Sequence, residues 1–210
     1  MVTIFPVNTG DGGAHFLPRL PRDFYRGDAV VHWTMATLDR QTGWLNTALH
    51  QTFRELMLHA AAREGLFCPA YCLMPDHLHL IWMGLRVDSD HQNGMTFLRT
   101  HLNRALAPAR LQPQAHDHVL GEAERQRNSF AATCAYILHN PVRAGFVTHP
   151  RDWPYSGAVL PGVPRLHPCA DNYWPLFWQL YERALQAATR LQVRAPRLVR
   201  PPAAGSNPNL

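Results

Sequence analysis

Two apolar runs separated by a two-residue break constrain this chain more than any other feature. Tyr71-Cys72-Leu73-Met74 and Leu78-His79-Leu80-Ile81-Trp82-Met83-Gly84 lie on either side of Pro75-Asp76 and His77. Proline fixes φ and lacks a donor, and aspartate favours turns, so the stretch reads as two antiparallel strands joined at Pro75-Asp76. The second strand opens with His77-Leu78-His79. Side chains at i and i+2 on a strand share a face, so His77 and His79 project together while Leu78, Leu80 and Trp82 face the other way, suited to lie under helices. Two imidazoles at that spacing can share one metal ion. They can equally be exposed positions on an edge strand, in a chain with 13 histidines. The pair alone leaves both readings open.

The surrounding pattern is α+β. Residues 1–21, rich in Gly and Pro, read as an irregular extension. Val30 to Leu38 carries β-branched residues and predicts a first strand. From Trp44 to Arg63, Leu45, Leu49, Phe53, Leu56, Met57 and Ala60 recur at helical spacing, and Gly65 stops that helix. After the paired strands, Met95, Leu98, Leu102 and Leu106 mark a second helix ending near Pro108, whose other face carries Arg99, Asn103 and Arg104. His118-Val119-Leu120 suits a short strand. A third helix starts near Asn128 or Ser129 and must stop about Asn140, because Pro141 follows. Strand, helix, strand, strand, helix, strand, helix predicts an antiparallel sheet with helices packed mainly on one face. Residues 161–171 read as a Pro-rich linker, Tyr173 to Leu191 as an aromatic-rich helix, and 192–210 as a disordered Arg/Pro tail.

Composition narrows the class. The chain has 210 residues, 46% hydrophobic and 17% charged, which fits one globular domain with appendages. Its 20 Lys+Arg are all arginine, the net charge is +5, and the pI is about 9.4. Arginine is the better residue for bidentate phosphate and guanine contacts, so this balance supports a polyanionic partner without proving one. The four cysteines form no Cys-x-x-Cys pair, which argues against a zinc ribbon or a disulfide framework. No signal peptide and no apolar run of membrane-spanning length is read, so a reducing cytoplasm and no membrane partner are expected.

The third helix supplies a second element. Phe130, Cys134, Ile137 and Leu138 form its apolar stripe, and at about 100° per residue Tyr136 falls off it. Tyr136 and Asn140 are four apart and share a face. They suit either a chemical site or an ordinary surface pair. Taken with His77 and His79, however, they make up what a metal-assisted tyrosine nucleophile needs. A phosphodiester repels nucleophiles through its negative charge, and a divalent cation offsets that charge. A tyrosyl oxygen can then displace one side of the phosphate and hold it as a phosphotyrosine. Two His and one amide leave coordination positions open for phosphate and water.

Met74-Pro75-Asp76-His77-Leu78-His79-Leu80, followed by Tyr136-Ile137-Leu138-His139-Asn140-Pro141-Val142-Arg143-Ala144-Gly145, resembles the REP-associated tyrosine transposases, members of the single-tyrosine HUH group. The resemblance runs from about Arg22 to Leu160 and includes Asp152-Trp153-Pro154-Tyr155-Ser156. It implies a ferredoxin-like HUH palm over residues 22–160 that cleaves and rejoins single-stranded DNA. His77 and His79, with Asn140 as third ligand, would hold Mg²⁺ or Mn²⁺, and Tyr136 would attack, leaving a 5′-phosphotyrosine and a free 3′-hydroxyl. The partner would be a hairpin-forming extragenic palindrome, with the protein a monomer or homodimer. Arg99, Asn103, Arg104 and Arg143 are candidate DNA contacts, and Asp76 reads as a turn residue. Leu111-Gln112 and His116-Asp117 stand where the family often has Trp-Gln and Tyr-Asp, a departure that bears on substrate details. Two rivals remain: a hairpin-binding protein that no longer cuts, and a metal hydrolase in which the histidines activate water.

Overall fold

The computed structural model describes residues 18–163 and 166–194. Most of the expected N-terminal extension and the tail beyond Arg194 lie outside them. The first strand, β1 (Val30–Ala36), is followed by α1 (Thr47–Glu64), the paired strands β2 (Leu66–Leu73) and β3 (His77–Gly84), α2 (His91–Leu106) and β4 (His116–Val119). Then come two helices, α3 (Glu122–Arg125) and α4 (Arg127–Leu138), a short helical turn α5 (Asn140–Arg143), the strand β5 (Ser156–Val159) and the long helix α6 (Tyr173–Arg194). The sheet order is β4-β1-β3-β2-β5, and every pairing is antiparallel. The first four strands with α1 and α2 make the expected ferredoxin-like unit, and β5 extends it along the free edge of β2.

Local signals set the ends of the long helices. The Asn46 side chain accepts from Leu49 N (2.9 Å) and Gly65, at φ +62°, closes α1 in the left-handed region. Asp90 accepts from Asn93 N (3.0 Å) at the start of α2. Leu49, Phe53, Met57 and Ala60 of α1 and Met95, Leu98, Leu102 and Leu106 of α2 are buried against Trp33, Met35, Leu78, Leu80 and Trp82. Leu78, Leu80 and Trp82 thus cover one face, opposite the histidines, as their alternation requires.

The fold class is the expected one, with an addition: the second face of the sheet is also covered. Phe130, Cys134, Ile137 and Leu138 of α4 and Tyr173 and Phe177 of α6 share a core with Val30, Phe67, Ala70, Cys72, Ile81 and Met83. The Tyr173 hydroxyl donates to Pro69 O (2.5 Å), and Phe177 stacks on Phe130 with ring centroids 6.3 Å apart. Burying side chains of this size contributes about 1.5–3 kcal/mol each. An ion pair, Arg127 with Glu182 at 2.7 Å, joins the exposed sides of α4 and α6. The C-terminal helix is therefore the brace of α4, not an appendage to the sheet.

The chain also continues past Pro141. Helix α4 stops at Leu138, His139 takes a nearly helical φ/ψ of −83°/−2°, and α5 starts with Pro141 in its first turn. A proline there costs no hydrogen bond, because the first N–H groups of a helix have no internal partner. His79 is paired with Thr34 on β1 and Cys72 on β2, so it and His77 lie on the face that α4 and α6 cover.

Candidate active site

β3 presents the two histidines side by side, with ring centroids 4.9 Å apart and planes at 87°. His79 is almost wholly buried; His77 is half-buried at the mouth of the hairpin. Each uses its Nδ1 atom for support. His77 Nδ1 stands 2.6 Å from Asp76 Oδ1 and donates to that carboxylate. His79 Nδ1 is 3.0 Å from Thr34 Oγ1 and 3.3 Å from His32 Nε2. In both rings Nε2 is the nitrogen left over. Imidazoles that bind metals through one nitrogen are characteristically held by a carboxylate or other acceptor at the second, which fixes the tautomer and the ring. The donor set therefore fits a divalent cation held by His77 Nε2 and His79 Nε2.

Electrostatics favour the neutral, ligating form of the buried ring. Burial holds His79 well below the ordinary histidine range, and His32, His77, Arg143 and Arg40 lower it further. Burial likewise takes His32 down to about 4, with His118 and His116 adding to the effect. Burial alone would raise Asp76, but the hydrogen bond from His77 and the charge of Arg40 outweigh it and hold the carboxyl below its usual range. Arg40 reaches Asp76 Oδ2 at 3.1 Å. The loop that delivers it has two consecutive non-glycine residues at positive φ, Asp39 (52°) and Arg40 (53°). Buried Thr37 ties this loop to the hairpin, donating through Oγ1 to Asp76 O (2.9 Å) and through N to the same carbonyl (2.9 Å). Strain of this kind, about 1–3 kcal/mol per residue, persists where the surroundings over-determine it.

Tyr136 lies near the end of α4 with 51% of its surface exposed, off the buried stripe of Phe130, Cys134, Ile137 and Leu138. The Arg143 guanidinium sits over its ring, 4.5 Å from the centroid, and the same charge is felt at His79. Arg143 thus lies against the tyrosine and within electrostatic reach of the buried histidine. Asn140 turns its amide back on α4, with Nδ2 donating to Tyr136 O (3.2 Å) and Ile137 O (3.0 Å). That leaves Oδ1 as the atom it could offer a ligand. Among the described residues, no three His, Cys, Asp or Glu side chains are placed to hold a metal together.

The other sequence candidates are positioned differently. Arg99, Asn103 and Arg104 belong to α2, on the opposite face of the sheet. Arg99 Nη2 donates to Gln112 O (2.6 Å) and Pro113 O (2.8 Å), and Asn103 Oδ1 accepts from Leu111 N (2.8 Å). These two brace the loop after α2 instead of facing the histidines, while Arg104 is exposed. Asp76, read from sequence as a turn residue, sits in the turn between β2 and β3 and also orients His77. His32, Thr34 and Arg40 were not foreseen at all. The alternation of His32 and Thr34 on β1 was visible, but only the register pairing Thr34 with His79 brings them to the site.

No family model matches the chain. A protein of Haemophilus influenzae named "Putative REP-associated tyrosine transposase" is 26% identical over 146 residues, spanning 64% of this chain and 82% of the relative. The REP-associated tyrosine transposase of Escherichia coli K12 is 24% identical over 136 residues, spanning 64% and 79%. A solved structure described as a REP-associated tyrosine transposase bound to a REP hairpin aligns with a TM-score of 0.55 at 23% identity, covering 67% of this chain and 82% of that one. In sequence and in fold, the chain is similar to the REP-associated tyrosine transposases.

Proposed function

We propose that this protein is a DNA strand transferase that binds hairpin-forming single strands and cuts them with Tyr136. The observation that carries the proposal is the grouping on one sheet face. An outward tyrosine, an arginine leaning over it and two Nδ1-braced histidines come from α4, α5 and β3, and the Arg143 charge acts on His79 while its guanidinium covers the Tyr136 ring. His77, His79 and Asn140 Oδ1 would hold Mg²⁺ or Mn²⁺. Bound there, the cation would withdraw charge from the phosphodiester and orient it.

The chain's own residues would do the rest. Arg143 would neutralise part of the phosphate's charge as it approaches Tyr136. The Tyr136 hydroxyl oxygen would form a bond to phosphorus as the bond to the 3′-oxygen breaks. The proton lost from the hydroxyl would pass to solvent, and the departing 3′-oxygen would take one up, giving a 3′-hydroxyl and a 5′-phosphotyrosine. A 3′-hydroxyl attacking that phosphotyrosine would reseal a strand and release Tyr136. No step consumes an outside energy source, because the phosphodiester bond energy is stored in the adduct.

The test is strand cleavage of a hairpin oligonucleotide with single-stranded flanks, with and without Mn²⁺. Cleavage should require the cation. His77→Ala and His79→Ala should abolish it while leaving hairpin affinity within about a few-fold, since phosphate contacts dominate binding. Asn140→Ala should impair it less. Full cleavage by the double histidine variant in the presence of chelator would overturn the metal assignment. Hydrolysis without any covalent adduct would favour water activation instead.

A further inference from the structure

We infer that Phe146, stacked on Trp153, is a platform for one unpaired nucleobase of the strand whose phosphate reaches Tyr136. The inference rests on the single-strand reading of the site above. Phe146 follows α5 directly: Gly145, at φ +76°, reverses the chain, and Phe146 N donates to Pro141 O (2.9 Å). This brings the ring over Trp153, with centroids 5.4 Å apart and planes 24° from parallel. One face of the phenyl ring is thus covered, yet 52% of the residue remains exposed. A lone exposed apolar side chain is ordinary. A flat ring backed by a second aromatic ring, three residues after Arg143, is not.

The support is firm. Trp153 Nε1 donates to Leu73 O (2.8 Å), and Trp153 packs edge-on against Tyr155 at 5.4 Å. Leu73 is the last residue of β2 and pairs with Leu78; Met74 N donates to His77 O (2.7 Å). The platform is therefore anchored to the same hairpin turn that carries His77. Arg143, three residues before Phe146, leans over Tyr136, and Arg151 stands exposed two residues before Trp153. Cationic groups beside an open aromatic face suit a single strand, whose phosphates and base faces alternate at short spacing. A paired base cannot present its face in this way, so the platform would select unpaired nucleotides next to the hairpin.

Equilibrium binding tests this with the Tyr136→Phe protein, so that cleavage does not interfere. The probes are one hairpin with single-stranded flanks carrying 2-aminopurine at successive positions, and the same hairpin without flanks. One flank position should lose fluorescence on binding. Phe146→Ala should abolish that quenching and weaken affinity for the flanked hairpin by roughly five- to a hundredfold, the range for removing one base–aromatic stack. It should leave affinity for the flankless hairpin unchanged, and Phe146→Tyr should restore both signals. Equal binding of the flanked hairpin by the Ala variant, even with reduced thermal stability, would overturn the platform and mean that Phe146 only shields Trp153. Failure of the parent protein to bind either hairpin would overturn the underlying function as well, a different result.

Discussion

Replacing His91 with leucine should flatten the acid dependence of stability by about 2 kcal/mol between pH 7.5 and 5. His91 opens α2 and is fully buried, its ring 6.5 Å from that of Trp82. Burial pushes it down to about 4; the Ala29 backbone and the Asp90 charge pull the other way without offsetting that. Among the described residues neither ring nitrogen completes a hydrogen bond of ordinary geometry, although the Ala29 backbone acts on the ring. In the unfolded chain the imidazole takes up its proton near pH 6.5. Between these values the unfolded state binds more protons, so stability is present above pH 6.5 and is lost as pH falls toward 4. The full window corresponds to about 3 kcal/mol, of which about 2 has gone at pH 5. His91→Leu removes the titrating group and the two unpartnered nitrogens, so at pH 7.5 the variant should be as stable as the parent or more so. Urea denaturation at both pH values measures this. His32 and His50, also taken down to about 4, contribute their own slope to both proteins, so the difference between the two curves is the quantity that counts. Parallel curves would refute the assignment.

Two further outcomes follow from the geometry. Asp76→Asn deletes the carboxylate that His77 Nδ1 donates to at 2.6 Å; Mn²⁺ affinity by calorimetry should fall about 10–100-fold, with thermal stability changed little, and unchanged affinity would contradict the support role. Gly84→Ala would put a Cβ 1.8 Å from the Gly27 carbonyl oxygen, a backbone clash at the end of β3 that should cost about 3 kcal/mol or more in urea denaturation.

Much of the fold was legible because its signals are local. Apolar periodicity, Asn46 and Gly65 mark α1, and the Pro75-Asp76 break marks the hairpin. Strand β5 was not legible: four residues with a central glycine have little strand preference, and their extended form comes from pairing with β2 through Cys68, Tyr71 and Cys72. The covering of the second face was hidden too, since nothing in an isolated aromatic helix says what Tyr173 and Phe177 lie against. At the site, residue types and spacing pointed to His77, His79, Tyr136 and Asn140. The supports are long-range. Thr34 and His32 reach His79 only through strand register, and Arg40 reaches Asp76 only through a loop at positive φ. The bonds of Arg99 and Asn103 to the loop after α2 were not legible either, because a polar helix face looks alike whether it meets DNA or its own neighbouring loop.

The most direct measurement of the central claim is mass spectrometry of the covalent complex formed with a flanked hairpin and Mn²⁺. After nuclease and protease digestion, the account predicts a nucleotide on the peptide containing Tyr136, joined through the 5′-phosphate of the 3′-side fragment. Tyr136→Phe should fold, bind the hairpin and give no adduct, because it loses only a half-exposed hydroxyl. A nucleotide on any other residue, or an adduct of undiminished yield in the Phe variant, would contradict the account.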